Sequence, residues 1–152
     1  MSRLSITRRD ERGTALIEVT WLSILLLVPL VYILLSVFEV QRAAFAVTAA
    51  SRAAGRAFSI APSQAVGRER ARRAAAVALD DQGLDLDRHG SVWVTCRPDP
   101  DHCLSPGSVI TVDVGYPVAL PMMPTALGAD TPSIHVDAEH SVPYGSFREA
   151  RP

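Results

Sequence analysis

The sequence predicts an α+β fold: one long N-terminal helix, apolar in its first half, then a second helix and a small antiparallel sheet of about three strands. Three observations predict it. From Val19 to Phe38 twenty consecutive residues carry no charge. From Phe38 to Ser59 the chain is rich in alanine, the best helix former, and contains no breaker. After Gly83 the apolar period changes from helical to alternating, the mark of strands.

The charge-free run is long enough to cross a membrane. At 1.5 Å per residue twenty residues cover ~30 Å, the thickness of bilayer hydrocarbon. Glu18 stands at its leading edge, where an ionised carboxylate in hydrocarbon costs about 2.5–3.5 kcal/mol and needs compensation. Pro29 removes one backbone hydrogen bond within the run and is expected to bend the helix. Arg3, Arg8, Arg9 and Arg12 precede the run, while the first residues after it offer only Glu39 and Arg42. The positive-inside rule therefore places the N-terminus in the cytoplasm and the bulk of the chain outside. A cleavable secretory signal with Ala44-Phe45-Ala46 as its cleavage site is the competing reading, but such signals have apolar cores of about 7–15 residues. Continued to Ser59, the helix reaches about 45 residues, ~68 Å. In its second half Arg42, Arg52, Arg56 and Ser59 share one face, leaving Ala46, Val47, Ala50, Ala53 and Ala54 for contact with a soluble domain.

The head of this helix has a characteristic order: a charged leader, Gly13, the small or apolar residues Thr14-Ala15-Leu16-Ile17, Glu18, then the apolar run. It resembles the processing site of type IV prepilins, and most closely that of the TadE-like minor pilins of tight-adherence (Flp-type) pilus systems. Pro29 within the apolar run also fits that family; Val19 departs from it, since an aromatic usually follows the glutamate and here Trp21 comes two places later. The resemblance runs from about Arg9 to Arg56, with a weaker echo in the C-terminal strands. It implies a pilin-like fold, residues 1–13 as a leader cut by a prepilin peptidase between Gly13 and Thr14, residues 14–40 as the transmembrane helix, and residues 41–152 as an extracytoplasmic domain. It makes Glu18 the fifth residue of the mature chain and an assembly residue, meeting the α-amine of a neighbouring subunit; the alternative is a carboxylate at the headgroup boundary that reaches water by snorkelling.

Ala61-Pro62-Ser63 stops the first helix and offers Ser63 as N-cap of a second, which ends before Gly83. Ala71, Ala74, Ala75, Ala78 and Leu79 form its inward face, and Arg68, Arg70, Arg72 and Arg73 read as a solvated face, with contact to anionic headgroups or an acidic neighbouring subunit as the alternative. Val92–Thr95, Val109–Val114 and Ile134–Ala138 read as strands. In the last, Ile134, Val136 and Ala138 form a dry face and His135, Asp137 and Glu139 a wet one. Pro117 to Pro124 is apolar but broken by prolines, and is expected as a loop on the long helix or at the membrane surface.

Cys96 and Cys103 bracket Arg-Pro-Asp-Pro-Asp-His. In an oxidising exterior they are expected to pair. A metal site built from Cys96, His102, Cys103 and His89 is the rival, but it lacks the Cys-x-x-Cys knuckles of structural zinc sites. No nucleophile–base arrangement, phosphate-binding glycine loop or His-rich metal motif is present, so the expectation is a protein that is not an enzyme and takes no cofactor. A net charge of −1 argues against a dedicated nucleic-acid binder, whose domain would be strongly basic. The expected partners are the membrane, a prepilin peptidase, and other pilin-like subunits with their assembly machinery. The alternative is a membrane-anchored extracytoplasmic binding or assembly factor that does not polymerise.

Overall fold

A computed structural model of the chain describes residues 12–120 and 133–152. It is an α+β structure in the order α1 (Arg12–Ser59), α2 (Gln64–Asp80), α3 (Leu86–His89), β1 (Ser91–Arg97), β2 (Val109–Ala119) and β3 (Ser133–Pro143). The three strands form one antiparallel sheet in the order β1-β2-β3.

The described residues up to Leu35 form the first of two compact units. They are the apolar part of α1, whose large side chains from Leu16 to Leu35 stand mostly exposed. By length and composition this helix could span a membrane. Pro29 lies within α1 without ending it. The Thr20 hydroxyl donates to the Leu16 carbonyl at 2.8 Å, so its polar group is satisfied within the helix.

The second unit, Ser36–Pro152, has its own core. In this unit α1 buries Ala43, Ala46, Val47, Ala50, Ala54 and Phe58, a stripe at helical spacing. Small side chains let the helix lie close to the sheet. A Cβ on Gly55 would stand 3.0 Å from Val142 Cγ2 and 3.4 Å from the His140 ring, so a side chain here requires Val142 to give way by a few tenths of an ångström. Ser59, expected on the outer face, is instead 7% exposed, and its hydroxyl donates back to the Arg56 carbonyl at 3.0 Å.

Ser63 caps α2 as its position suggests: its hydroxyl accepts from the Val66 N–H at 3.4 Å. The buried face of α2 is Gly67, Ala71, Ala75 and Leu79, with Ala74 and Ala78 at its margins. Gly67 joins that face because the Phe58 ring lies against it, 3.0 Å from where a Cβ would be. The short α3 was not foreseen. Asp85 caps it by accepting the Asp87 N–H at 3.0 Å, and the turn sends Leu84 and Leu86 into the core.

The sheet is longer than the sequence pattern suggests. β2 continues past Val114 through Pro117 to Ala119, so the first part of the expected Pro117–Pro124 loop is strand; residues 121–124 lie outside the described residues. A proline is tolerated there because β1 pairs with β2 only as far as Ser91↔Gly115, leaving one side of β2 unpaired beyond it. Ile110, Val112 and Val114 face inward and are buried, with Val112 near Gly55, so Thr111 and Asp113 belong to the face turned away from α1. β3 alternates as expected from Val136 onward. Ile134, assigned to the dry face, is 44% exposed, since it lies at the strand's end opposite Val118.

Candidate functional site

The sequence singles out two features, one in each unit. At the head of α1 the backbone is helical from Arg12, which places Gly13, Thr14 and Glu18 on one continuous helix. Positions 14 and 18 are separated by four residues, one turn and ~6 Å of rise, and therefore share a face. Glu18 is exposed. The greater part of the 1–13 leader lies outside the described residues.

In the second unit Cys96 and Cys103 are joined by a disulfide, with Cα atoms 5.3 Å apart. Both are almost completely buried. Pairing removes the two thiolates that the metal reading needed, and the histidines of that reading are engaged elsewhere. His102 Nδ1 is 2.8 Å from Asp99 Oδ2, and the His89 ring stands edge-on to Tyr116 with centroids 6.5 Å apart. Asp99 organises the loop. Its Oδ1 accepts the Asp101 N–H at 2.9 Å. That bond first, and the His102 contact second, hold the Asp99 carboxyl below the usual carboxylate range.

The disulfide loop is tied to the junction between the two long helices. Gln64, the first residue of α2, accepts the Cys103 N–H at its Oε1 (3.2 Å) and donates through Nε2 to the Pro100 carbonyl (3.1 Å). Ser108 closes the loop from the other side: its hydroxyl bonds the Cys103 carbonyl and the Ser105 carbonyl.

The C-terminal residues complete this cluster, and sequence reasoning missed them. The Arg151 N–H donates to the Leu104 carbonyl at 2.9 Å, and the Gln64 N–H donates to the Pro152 carbonyl at 2.8 Å. Arg148 donates to the Ser59 carbonyl at 2.8 Å while its guanidinium lies 5.2 Å from the centre of the Tyr144 ring. Arg151 donates to the Ala61 carbonyl at 2.9 Å. Two cations thus meet carbonyls at and just past the end of α1, near the negative pole of the helix, while the Ala61 N–H meets the Phe58 carbonyl. A signal for this was present: α1 ends in Ser59-Ile60-Ala61-Pro62, with no glycine or asparagine to close it, so its carbonyls needed donors from elsewhere.

Among the described residues no group of three or more histidine, cysteine, aspartate or glutamate side chains is arranged to hold a metal ion. Compared with family models, curated proteins and solved structures, the chain matches none.

Proposed function

We propose that this chain is a structural minor pilin or pseudopilin, with a pilin-like fold, that acts in tight-adherence-type pilus assembly. It sits in the cytoplasmic membrane by one pass, N-terminus inside and residues 41–152 outside, and a prepilin peptidase cuts it between Gly13 and Thr14. Its role is structural and not enzymatic. The observation that supports this most is the order at the head of α1: Gly13, four residues, Glu18, and then an unbroken apolar helix that enters a small disulfide-closed α+β domain. A plain anchor has no use for a carboxylate at that place. A subunit does, because cleavage leaves a positive α-amine on Thr14, and an amine and a carboxylate from adjacent subunits, each costly alone in a low-dielectric bundle, satisfy one another.

The test is Glu18→Ala. Membrane insertion, processing at Gly13 and the disulfide should persist, while co-purification with other pilin-like subunits and pilus-dependent adherence are lost. Normal assembly in that variant returns Glu18 to a carboxylate reaching the headgroup boundary, and the chain to an anchored factor that does not polymerise.

A further inference from the structure

The second unit carries two surfaces of opposite charge whose charged side chains form no ion pair among the described residues. The first is the flank of α1. Arg52 and Arg56 stand one turn apart, both exposed, and with Ala53, Ala57 and Ile60 they line a shallow groove. Ile60 is 56% exposed. Neither guanidinium makes a hydrogen bond or ion pair among the described residues. The ion pairs of the neighbouring arginines are Arg42–Glu39, Arg72–Asp87, Arg73–Glu69 and Arg88–Asp85.

The second is the outer face of the sheet. The cross-strand row there is Trp93↔Asp113↔Glu139, with Asp137 two residues along β3 on the same face. Trp93 is 69% exposed. Asp113, Asp137 and Glu139 are without an ion pair among the described residues, and Asp113 and Glu139 are direct neighbours, an arrangement unfavourable on its own. Arg97 and His135 share this face: Arg97 lines one shallow groove with Asp113 and Glu139, and the His135 ring lies over Gly115, the cross-strand partner of Asp137, without an ion pair among the described residues.

We propose that these two surfaces are the two halves of one head-to-tail contact between copies of this chain: the Trp93–Asp113–Asp137–Glu139 face of one copy docks on the Arg52–Arg56–Ile60 flank of the next. The spacings agree. Arg52 and Arg56 are separated by ~6 Å along the helix, and Asp137 and Glu139 by ~6.8 Å along the strand. Trp93 enters the groove floored by Ala53 and Ala57, where a guanidinium on either side meets its ring face or an opposing carboxylate. Tryptophan and arginine are the residues that most often dominate such contacts. Because the two surfaces are different patches of one molecule, the contact is heterologous, and repeated from copy to copy it builds a ring or an open row according to the rotation between neighbours. Exposed pairs of this kind are individually weak, and copies gathered in one membrane reach the effective concentration that makes them count. The inference deepens the proposed subunit role and rests on it only for the supply of co-oriented copies.

The experiment is sedimentation velocity on the full chain in detergent micelles, at about 50 mM and about 500 mM salt. Self-association is expected at the lower salt and is expected to fall at the higher. Arg52→Glu with Arg56→Glu, or Asp137→Arg with Glu139→Arg, should each weaken it on the order of tenfold or more, since attraction becomes repulsion. One chain carrying all four reversals should associate again. Trp93→Ala, which removes no charge and a side chain that is 69% exposed, should weaken association with little change in the thermal midpoint, and it decides the matter if a reversed chain does not fold. A monomer at low salt, reversed chains that associate like the parent, or a Trp93→Ala chain that does so, overturns the proposal. Processing at Gly13 is read separately by mass. A processed chain indifferent to the reversals sinks the contact alone, and an unprocessed chain that obeys them sinks only the pilin reading.

Discussion

Reducing the Cys96–Cys103 bond removes a cross-link between residues separated by seven positions. On the chain-entropy relation a closed loop of that size restricts the unfolded chain by about 2.5 kcal/mol at 25 °C. The native state gives little of this back, because Gln64 still holds both Cys103 and Pro100, Ser108 still bonds the Cys103 carbonyl, and Arg151 still holds Leu104. The loop should therefore keep its place when reduced, and the loss should appear almost wholly as a lower midpoint of unfolding. For a unit the size of Ser36–Pro152, roughly 4 °C per kcal/mol applies, giving a fall of about 10 °C. Calorimetry of the detergent-solubilised chain with and without reductant measures it directly. Cys96→Ala with Cys103→Ala should fall slightly further, since it also loses two buried sulfur atoms. A fall of under about 3 °C would mean that the unfolded chain is already confined near this loop, and outright unfolding would mean that the bond does more than restrict the chain.

Phe58→Ala removes the ring that α2 packs on at Gly67, and should destabilise the second unit by about 3–5 kcal/mol, measured by denaturant unfolding; a loss under about 1 kcal/mol would show that α1 and α2 are not held together there. The folded Asp99 carboxyl titrates below its unfolded value, so its contribution is complete above about pH 4 and disappears as pH falls through the lower folded value. Asp99→Asn should accordingly flatten the acid side of the midpoint-against-pH curve, and an unchanged acid limb would remove Asp99 from the account. Protease added to intact spheroplasts should digest residues beyond the apolar part of α1; protection until lysis would reverse the proposed orientation.

Much of the fold was legible because two of its determinants are local. Helical spacing alone identified Ala46, Val47, Ala50 and Ala54 on α1 and Ala71, Ala75 and Leu79 on α2, and all are buried. Ser63 was legible as a cap for the same reason: its partner lies three residues away. What escaped was set by residues distant in sequence. Pro117 looked like a strand breaker, and only knowing where β1 stops shows that one side of β2 is open there. Ser59 took its outward assignment from the helix wheel, yet its carbonyl is met by Arg148 from the chain's last turn. Nothing in the neighbours of Gln64 signals its bridge to Cys103, which exists only because the disulfide loop folds back to that point. The candidate site divides in the same way. Gly13, Glu18 and the cysteine pair are local patterns, whereas the opposed charges of Arg56 and Glu139 become a pair of surfaces only once the strand register is known.

The central claim is that the chain is made as a precursor and matured at the head of α1. The most direct measurement is the intact mass of the chain purified from membranes of cells that contain a prepilin peptidase, beside the same chain from cells that lack it. The account predicts a mature chain that begins at Thr14 in the first and a chain that retains residues 1–13 in the second, with Gly13→Leu retaining them in both. Retention of the leader in peptidase-containing membranes, or cleavage at any other place, would contradict it.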